Sequence, residues 1–370
     1  MVPPPTEKSL WRAWPYIAVW MVLSTALIFM NSDILNNRMK YPALLTAWHM
    51  AVSSVLVRVL HYTAPAHLGL FSEEQPEVSL NTVLTKLMPI AALFSAALAM
   101  GNRAYLYCSI AFIQMVKASH GVTTYLLNTL VGAELFMWSK LRLVSLVCFG
   151  VMLAVTGELE FHVVGFLCQC FSSVSECTRV VLIGLLLNKS GLKMDPLTAL
   201  SYYAPMCLVF LVPFAMLTEM PSDWSSFAAE FQEEVGFGLL ILNGLVAFAL
   251  NVSVVLLINA TSPVLYILCG VMKDIVIILG SILALHTPVA PQQILGYIAA
   301  VVGIQLFNLV SKNPDVFEAH GLVRGVWEVV QRWKDPKPEL PLLPLQKSDN
   351  ESLTSVSTQE GTSGTSESLE

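Results

Sequence analysis

Apolar segments separated by short polar stretches run along most of the chain. A helix needs roughly 20 mostly apolar residues to cross a bilayer, and the chain has enough such residues for about ten spans. We predict these spans at residues 14–32, 42–62, 86–103, 106–130, 141–158, 162–187, 196–218, 236–257, 262–285 and 289–310. The pattern therefore predicts an all-α membrane protein with ten transmembrane helices.

The composition agrees with this fold class. Hydrophobic residues make up 55% of the chain and charged residues 12%, whereas a soluble domain has about 25% charged residues. No room remains for a soluble enzymatic domain, and the sequence has no nucleotide-binding loop, HExxH motif or nucleophile elbow, so we do not expect an enzyme. The seven cysteines lie in apolar segments without metal-like spacing, which indicates buried thiols. We expect no cofactor and no nucleic-acid partner, and the sequence leaves a homodimer open.

The spans divide into two sets of five, and because five is odd the sets would lie in opposite orientations. We predict a 5+5 inverted repeat, with residues 14–158 as the first half and 159–312 as the second. Residues 1–13 would form a cytosolic N-terminus, and residues 313–335 an amphipathic helix at the interface. Residues 336–370 are rich in Pro, Ser, Thr and Glu, which predicts a disordered cytosolic tail.

Basic residues in the loops indicate which way the chain faces, since cytosolic loops carry an excess of Lys and Arg. The side with both termini holds Lys8, Arg12, Arg58, Lys86, Lys140, Arg142, Lys189, Lys193 and Lys312. The opposite side holds Arg38 and Lys40, and otherwise the acidic residues Glu158, Glu160, Glu219, Asp223, Glu230, Glu233 and Glu234. The bias predicts that both termini are cytosolic, although Arg38 and Lys40 argue the other way.

Two lysines interrupt the apolar segments. Lys117 is the only Asp, Glu, Lys or Arg in the fourth span, and Lys273 with Asp274 interrupts an otherwise uncharged run over 235–311. An ionised side chain at bilayer depth costs a few kcal/mol and is a functional candidate by default. Lys117 lies in the fourth span of the first half and Lys273 in the fourth span of the second, as a midplane site between inverted repeats requires. We therefore predict that the two lysines bind an anion.

A polar stripe follows one face of the fourth span at steps of three and four. Its members are Gln114, Lys117, His120 or Gly121, Thr124 and Asn128. On one interpretation the stripe forms a substrate wall in which Lys117 meets a phosphate. On the other, its amide and hydroxyl groups bond a neighbouring helix. We favour the first for Lys117 and weigh the two equally for Gln114, Thr124 and Asn128. His120 is a further candidate for the substrate site, although a histidine in such a position is more often a hydrogen-bonded packing residue than a ligand.

The sixth span repeats the pattern with Gln169, Ser172 or Ser173, Glu176 and Arg179 on one face. Glu176 and Arg179 are three residues apart and can pair within the helix. A guanidinium also suits a phosphate, which it can grip through two parallel hydrogen bonds. Arg179 could then exchange Glu176 for substrate, and we weigh the two interpretations equally.

In the ninth span, Lys273 and Asp274 point about 100° apart on a helix, so the two need not neutralise each other. Tyr266 shares the face of Lys273 and could stack on a ring or bond a hydroxyl group. Asp274 could pair with Arg103, Arg179 or another lysine as a gate, or carry a proton. For Arg103, near the end of the third span, snorkelling to the interface is the simpler interpretation.

The chain resembles the triose-phosphate/nucleotide-sugar translocator family of the drug/metabolite transporter superfamily over roughly 15–312. The motifs that carry the resemblance are Leu45-Thr-Ala-Trp-His49-Met, Gly101-Asn-Arg-Ala-Tyr-Leu-Tyr, Ser109-Ile-Ala-Phe-Ile-Gln-Met-Val-Lys117-Ala, Glu176-Cys-Thr-Arg179, Gly191-Leu-Lys-Met-Asp-Pro-Leu-Thr198, Ser201-Tyr-Tyr-Ala-Pro205, Ala247-Phe-Ala-Leu-Asn251, Thr261-Ser and Gly270-Val-Met-Lys-Asp274. Each motif alone is weak, and together they are specific. The chain looks most like plant and algal sugar phosphate/phosphate translocators with Lys-Asp in the ninth span.

The resemblance implies exchange of a phosphorylated solute across an organelle membrane, for which we expect the Golgi or the endoplasmic reticulum. It implies that Lys117 and Lys273 bind the anion, and Asn251 joins the expected substrate site. Plastid sugar-phosphate carriers usually have an arginine where this chain has Asp274, which favours a larger nucleotide sugar or a site with fewer charges. Relatives also tend to have a proline shortly after the fourth-span lysine, where this chain has Ser119-His120-Gly121.

We expect an antiporter of a nucleotide sugar or a sugar phosphate against nucleoside monophosphate or phosphate, working by alternating access. One alternative is a membrane scaffold whose tail recruits partners, which removal of the tail after Asn313 would distinguish. Another is a proton-coupled exporter of small organic solutes, but such a site would favour buried carboxylates over two lysines.

Overall fold

Helices account for the regular structure throughout the part of the chain that the structure describes. The computed structural model describes residues 7–63, 71, 79–159, 161–190, 196–219, 231–260 and 263–334, and no strand occurs among them. Eight helices within these ranges are long and apolar enough to cross a membrane. The prediction of an all-α membrane protein is confirmed.

The helices follow one another closely, and their bounds lie within four residues of the predicted spans, except that the first helix begins seven residues before its span, at Glu7. In chain order they are α1 (Glu7–Asp33), α2 (Pro42–Thr63), α3 (Met88–Ala104), α4 (Ile110–Lys117), α5 (His120–Leu130), α6 (Trp138–Thr156), α7 (Val163–Ser190), α8 (Pro196–Thr218), α9 (Gly236–Ala260), α10 (Pro263–Ala284), α11 (Pro291–Lys312) and α12 (Pro314–Lys334). Short π-helical turns at Ile34–Arg38, Val83–Leu87 and Phe231–Val235 extend α1, α3 and α9.

The predicted fourth span consists of two helices, α4 and α5, with a break at Ala118 and Ser119. At the break the Ala118 N–H donates to the Met115 carbonyl and the Ser119 N–H to the Val116 carbonyl, which are tight turns in place of α-helical bonds. The Ser119 hydroxyl also donates to the Val116 carbonyl at 2.8 Å. The Val116 carbonyl thus accepts hydrogen bonds from both the N–H and the hydroxyl of Ser119, so the side chain offers the backbone an alternative to the helical bond. The helix is therefore interrupted without a proline.

Contacts between the helices occur in matching pairs. Helix α3 packs on both α7 and α8, and in the same way α9 packs on both α1 and α2. Helix α5 packs on α7, as α1 packs on α10, and the pairs α2–α8, α4–α10 and α6–α11 are also in contact. Exchanging the first five predicted spans for the second five turns α3–α7, α3–α8 and α5–α7 into α1–α9, α2–α9 and α1–α10, and it leaves the last three pairs unchanged. The ten-span count and the inverted repeat remain predictions, which this pattern favours.

Glycines bring α6 and α11 into backbone contact. A Cβ atom added at Gly150 would lie 2.6 Å from the Gly296 carbonyl oxygen, and one added at Gly296 would lie 2.5 Å from the Gly150 carbonyl oxygen. Small residues allow membrane helices to approach this closely. This contact, the glycine seam, joins the last helix of each predicted half.

Helix α12 packs its apolar face on the bundle. Val316, Phe317 and Val329 are buried in a cluster with residues of α5, α6 and α11, whereas Trp327 is exposed. The helical path is interrupted at Gly321, which has φ of +69°. A helix is thus present where the sequence predicts one, and its position at a membrane surface remains a prediction. The predicted tail at 336–370 lies outside the described residues.

Candidate functional site

A cluster of charged side chains lies inside the bundle, where α4, α5, α7 and α10 meet. Lys117 ends α4, Lys273 lies in the middle of α10, and the two helices pack on each other. The charges of Asp274 and Glu176 both reach Lys117. His120 lies within electrostatic range of Lys117, Lys273 and Glu176. The structure therefore brings together residues that the sequence places in three different predicted spans.

Lys273 pairs with its neighbour Asp274. The distance from Lys273 Nζ to Asp274 Oδ1 is 2.9 Å, although helix geometry suggested that the two need not neutralise each other. The lysine chain is long enough to bend back to the adjacent carboxylate. The same ammonium lies 5.8 Å from the centre of the Trp20 ring, a distance at which a cation is attracted to an aromatic face.

The break after α4 creates a favourable place for a cation. Lys117 is the last residue of α4, and the free carbonyl groups of a helix C-terminus carry partial negative charge. Among the described residues Lys117 forms no ion pair within 4.0 Å. A half-buried ammonium at an interrupted membrane helix resembles the discontinuous helices that hold ligands in many transporters.

His120 opens α5 and ties it to α7. Its Nε2 atom lies 2.9 Å from the Ser173 hydroxyl oxygen, which also accepts a hydrogen bond of 3.1 Å from Gln169 Nε2. Gln169 is fully buried, and its Oε1 atom has no hydrogen-bond partner among the described residues. His120 therefore has a structural contact of its own and also borders the charged cluster.

Tyr105 belongs to the cluster, which the polar stripes do not predict, and in the sequence it stands out only as part of the motif that starts at Gly101. Its side chain is buried and lies within electrostatic range of Lys273 and Asp274, next to the Gln114 amide. The Gln114 nitrogen is buried and has no partner of hydrogen-bonding geometry within the described chain. A buried donor without a partner costs about 1–3 kcal/mol.

Glu176 and Arg179 form the ion pair that their spacing allows. The Arg179 Nε atom donates to Glu176 at 2.9 Å, and a second guanidinium nitrogen contacts the other carboxylate oxygen. The guanidinium also lies 4.6 Å from the centre of the Phe94 ring. The intrahelical pair is therefore present, and a phosphate of similar geometry could take the place of the Glu176 carboxylate.

Four predicted residues stand apart from this group. Thr124 lies beside the Cys177 thiol, and Asn251 donates to the Ala247 carbonyl of its own helix at 2.9 Å. Arg103 lines a cleft at one end of the bundle. Tyr266 is part of α10, but its side chain lies outside the described residues.

The cluster is suited to binding an anion. It holds the cations Lys117 and Lys273 and the carboxylates Asp274 and Glu176, and Arg179 joins it through its ion pair with Glu176, so that the formal charge of the whole group is positive. Each carboxylate forms an ion pair with a cation that a phosphate could otherwise contact. No group of three or more His, Cys, Asp or Glu side chains in the described part of the chain is placed to hold a metal ion. The geometry supports exchange of ion-pair partners rather than bond chemistry.

Comparison with known proteins adds a family to this geometry. Residues 12–308 match the sequence model of the Triose-phosphate Transporter family. Three similar proteins of Arabidopsis thaliana are each named a probable sugar phosphate/phosphate translocator. The first is 35% identical, covering 81% of this chain and 84% of the relative, and the second is 34% identical with the same coverage. The third is 33% identical, covering 88% of this chain and 94% of the relative.

Proposed function

Because this chain belongs to the Triose-phosphate Transporter family, we propose that it exchanges a phosphorylated sugar compound for phosphate or a nucleoside monophosphate. The family consists of transporters, so the chain is a membrane transporter and not an enzyme. The resemblance inferred from the sequence motifs is thereby confirmed. Obligatory exchange and the identity of the two solutes are the parts that we propose.

The observation that carries the proposal is the position of Lys117. Its ammonium lies inside the bundle within range of Asp274 and Glu176, but among the described residues it has no ion pair. An unpaired buried charge is costly in a medium of low dielectric constant. A phosphoryl group bound at Lys117 would supply the missing partner.

The same position explains why exchange would be required. In the empty carrier, Lys273 and Arg179 are paired with internal carboxylates, whereas Lys117 would have no partner while the two halves change orientation around it. A bound phosphate lowers this cost, so the loaded carrier reorients faster than the empty one. Alternating access about a site between the two predicted halves then couples movement of one anion to return of another.

The names of the Arabidopsis relatives favour a sugar phosphate exchanged for inorganic phosphate. A nucleotide sugar exchanged for its nucleoside monophosphate is the second candidate. It is favoured by Asp274, because an ion pair with Lys273 removes one cation from those that could hold a compact dianion. We also propose a Golgi or endoplasmic reticulum membrane with both termini in the cytosol.

Reconstituted protein tests the proposal directly. Vesicles loaded with phosphate, a sugar phosphate, a nucleoside monophosphate or buffer alone are given the same set of labelled phosphorylated solutes outside. We expect uptake only when a phosphorylated counter-solute is inside. Equal uptake into buffer-loaded vesicles would rule out obligatory exchange, and no uptake with any pair of solutes would rule out the transport proposal.

Removal of the tail separates this function from a scaffold. A transporter retains exchange when the tail is removed, whereas a scaffold loses its partners. The chain should be truncated after Lys334, at the end of α12, rather than after Asn313, because Phe317 and Val329 are buried against the bundle. A protein truncated after Asn313 would lose this packing. A fall in its exchange activity would then not distinguish loss of the tail from loss of stability.

A further inference from the structure

A polar cleft of about 750 Å³ lies at the end of the bundle where α1, α3 and α8 end and α2 begins. Its volume falls in the range of roughly 300–1,000 Å³ typical of small-molecule sites. The residues that line it are Asn36, Asn37, Arg38, Lys40, Tyr41, Pro42, Arg103, Leu106, Tyr107, Thr218 and Glu219. Two of the cations, Arg38 and Lys40, are the residues that departed from the charge bias of the loops.

The cleft holds three cations and one carboxylate. Arg38 forms an ion pair of 2.8 Å with Asp33. Within the described part of the chain, neither Lys40 nor Arg103 forms an ion pair. Lys40 is exposed and Arg103 is half-buried. A concave surface lined with charge of one sign concentrates ions of the opposite sign and speeds their association.

Glu219, the carboxylate of the cleft, is engaged elsewhere. Its oxygens accept hydrogen bonds of 2.9 and 3.0 Å from the Ala43 N–H and of 3.0 Å from the Leu44 N–H. These groups lie in the first turn of α2, where the helix dipole favours an anion. Glu219 therefore caps α2 and makes no direct pair with Arg103, although its charge reaches that side chain.

One turn of the chain connects this cleft with the charged cluster. Leu106 and Tyr107 line the cleft, whereas the preceding residue, Tyr105, is buried beside Lys273 and Gln114. Arg103, in the last turn of α3, also lies on the cleft side. The two sites are therefore neighbours that share the segment from Arg103 to Tyr107.

We propose that this cleft is a recruitment site, in which Lys40 and Arg103 attract the phosphoryl group of the solute before it reaches Lys117 and Lys273. The inference rests on the proposed function and adds a second anion site to it. It also accounts for Lys40, a basic residue on the side where positive charge is otherwise scarce. The ligand is a phosphate monoester or inorganic phosphate, and a lipid headgroup offers the same chemistry.

Chemical change of the charge at position 40 tests the proposal. The Lys40→Cys variant is treated in detergent with methanethiosulfonate reagents that attach a sulfonate, a trimethylammonium or a neutral group, and is then reconstituted. We expect the KM for external phosphate to be about threefold higher with the sulfonate than with the trimethylammonium group, with kcat unchanged. The difference should vanish in about 0.5 M salt, where charges are screened within a few ångströms.

Two controls accompany the series. Wild-type protein treated in the same way shows the effect of the native cysteines. Lys312→Cys carries the same adducts at an exposed lysine at the end of α11, and its KM should not follow the charge. Equal KM values for the three adducts at position 40 would overturn the inference, as would the same charge dependence at position 312.

Vesicle composition separates the two sources of phosphate. The charge dependence at position 40 should be present in vesicles of phosphatidylcholine alone and persist when about a fifth of the lipid is anionic. A dependence that appears only with anionic lipid would assign the cleft to a headgroup and overturn the inference. Exchange by wild-type protein without any effect of charge at position 40 would remove this second site and leave the proposed function standing. Failure of the wild-type protein to exchange would remove both.

Discussion

The Lys273 ammonium lies 2.9 Å from the carboxylate of Asp274, its neighbour on the same helix. This ion pair keeps one of the central cations occupied while the site is empty. Asp274→Asn should therefore lower the KM for phosphate severalfold, because Lys273 is released for the substrate. The maximal rate of exchange should fall, since phosphate that is held by both lysines is released more slowly. Initial rates in phosphate-loaded vesicles measure both quantities, and an unchanged KM would contradict the role assigned to Asp274.

Lys117→Ala should lower kcat/KM by about tenfold to a hundredfold, the range expected when a charge-assisted hydrogen bond of about 1.5–3 kcal/mol is lost. Insertion should be unaffected, because no carboxylate among the described residues depends on Lys117 alone. Lys312→Ala, at the end of α11, is the matched control and should exchange at the wild-type rate. Lys273→Ala is best made together with Asp274→Ala, because the single change would leave a buried carboxylate unpaired.

Arg179→Lys distinguishes the two interpretations of the Glu176–Arg179 pair. Lysine retains the charge but cannot grip a phosphate through two parallel hydrogen bonds. If Arg179 exchanges Glu176 for substrate, KM should rise about tenfold while the melting temperature in detergent stays within a few degrees. If the pair only stabilises α7, Arg179→Lys should leave KM unchanged. Glu176→Gln then serves as the second variant and should lower KM where Arg179→Lys raises it.

Gly150→Ala should destabilise the protein by about 1–3 kcal/mol, the usual cost of overpacking. A methyl group there would lie 2.6 Å from backbone atoms of α11, and backbone cannot move aside as a flexible side chain can. Gly184→Ala is the matched control, since a Cβ atom at Gly184 meets nothing within 4 Å. Thermal unfolding in detergent compares the two, and equal melting temperatures would show that the glycine seam tolerates a side chain.

The Glu219 carboxyl should make stability depend on pH. Burial raises its pKa above the ordinary value of 4.5, against the opposing effect of the Ala43 and Leu44 N–H groups. The folded protein therefore holds this proton more tightly than the unfolded chain, and its stability falls as pH rises from 4.5 through the raised pKa. Glu219→Gln should flatten this part of the profile of melting temperature against pH. A steeper fall in the variant would contradict the sign of the shift.

The sequence predicts the long helices well because the apolar segments have the length that a bilayer requires. It also singles out Lys117 and Lys273 as candidates for the site, since an isolated lysine in such a segment stands out. The break after Lys117 has no comparable signal. Ser119 bonds a backbone carbonyl both within helices and at their ends, so its presence does not reveal which arrangement occurs.

The partners within the site were harder to predict for two further reasons. Helical spacing separates Lys273 from Asp274 by about 100°, but it does not take account of a side chain long enough to turn back. Tyr105 and Trp20 reach the cluster from outside the polar stripes, and aromatic residues are common in apolar segments. Their roles follow from how the helices pack, which only the structure shows.

The glycine seam between α6 and α11 has a consequence for how a transporter of this kind moves. Helices whose long side chains interlock must separate before they can tilt. At Gly150 and Gly296 no side chain lies between the two backbones, so α6 and α11 can tilt against each other without separating. Rotation of one predicted half on the other would keep this contact while the distant ends of the bundle open and close in turn. The glycine seam would then be the pivot of this movement, and a larger side chain there should block the movement even in a protein that still folds.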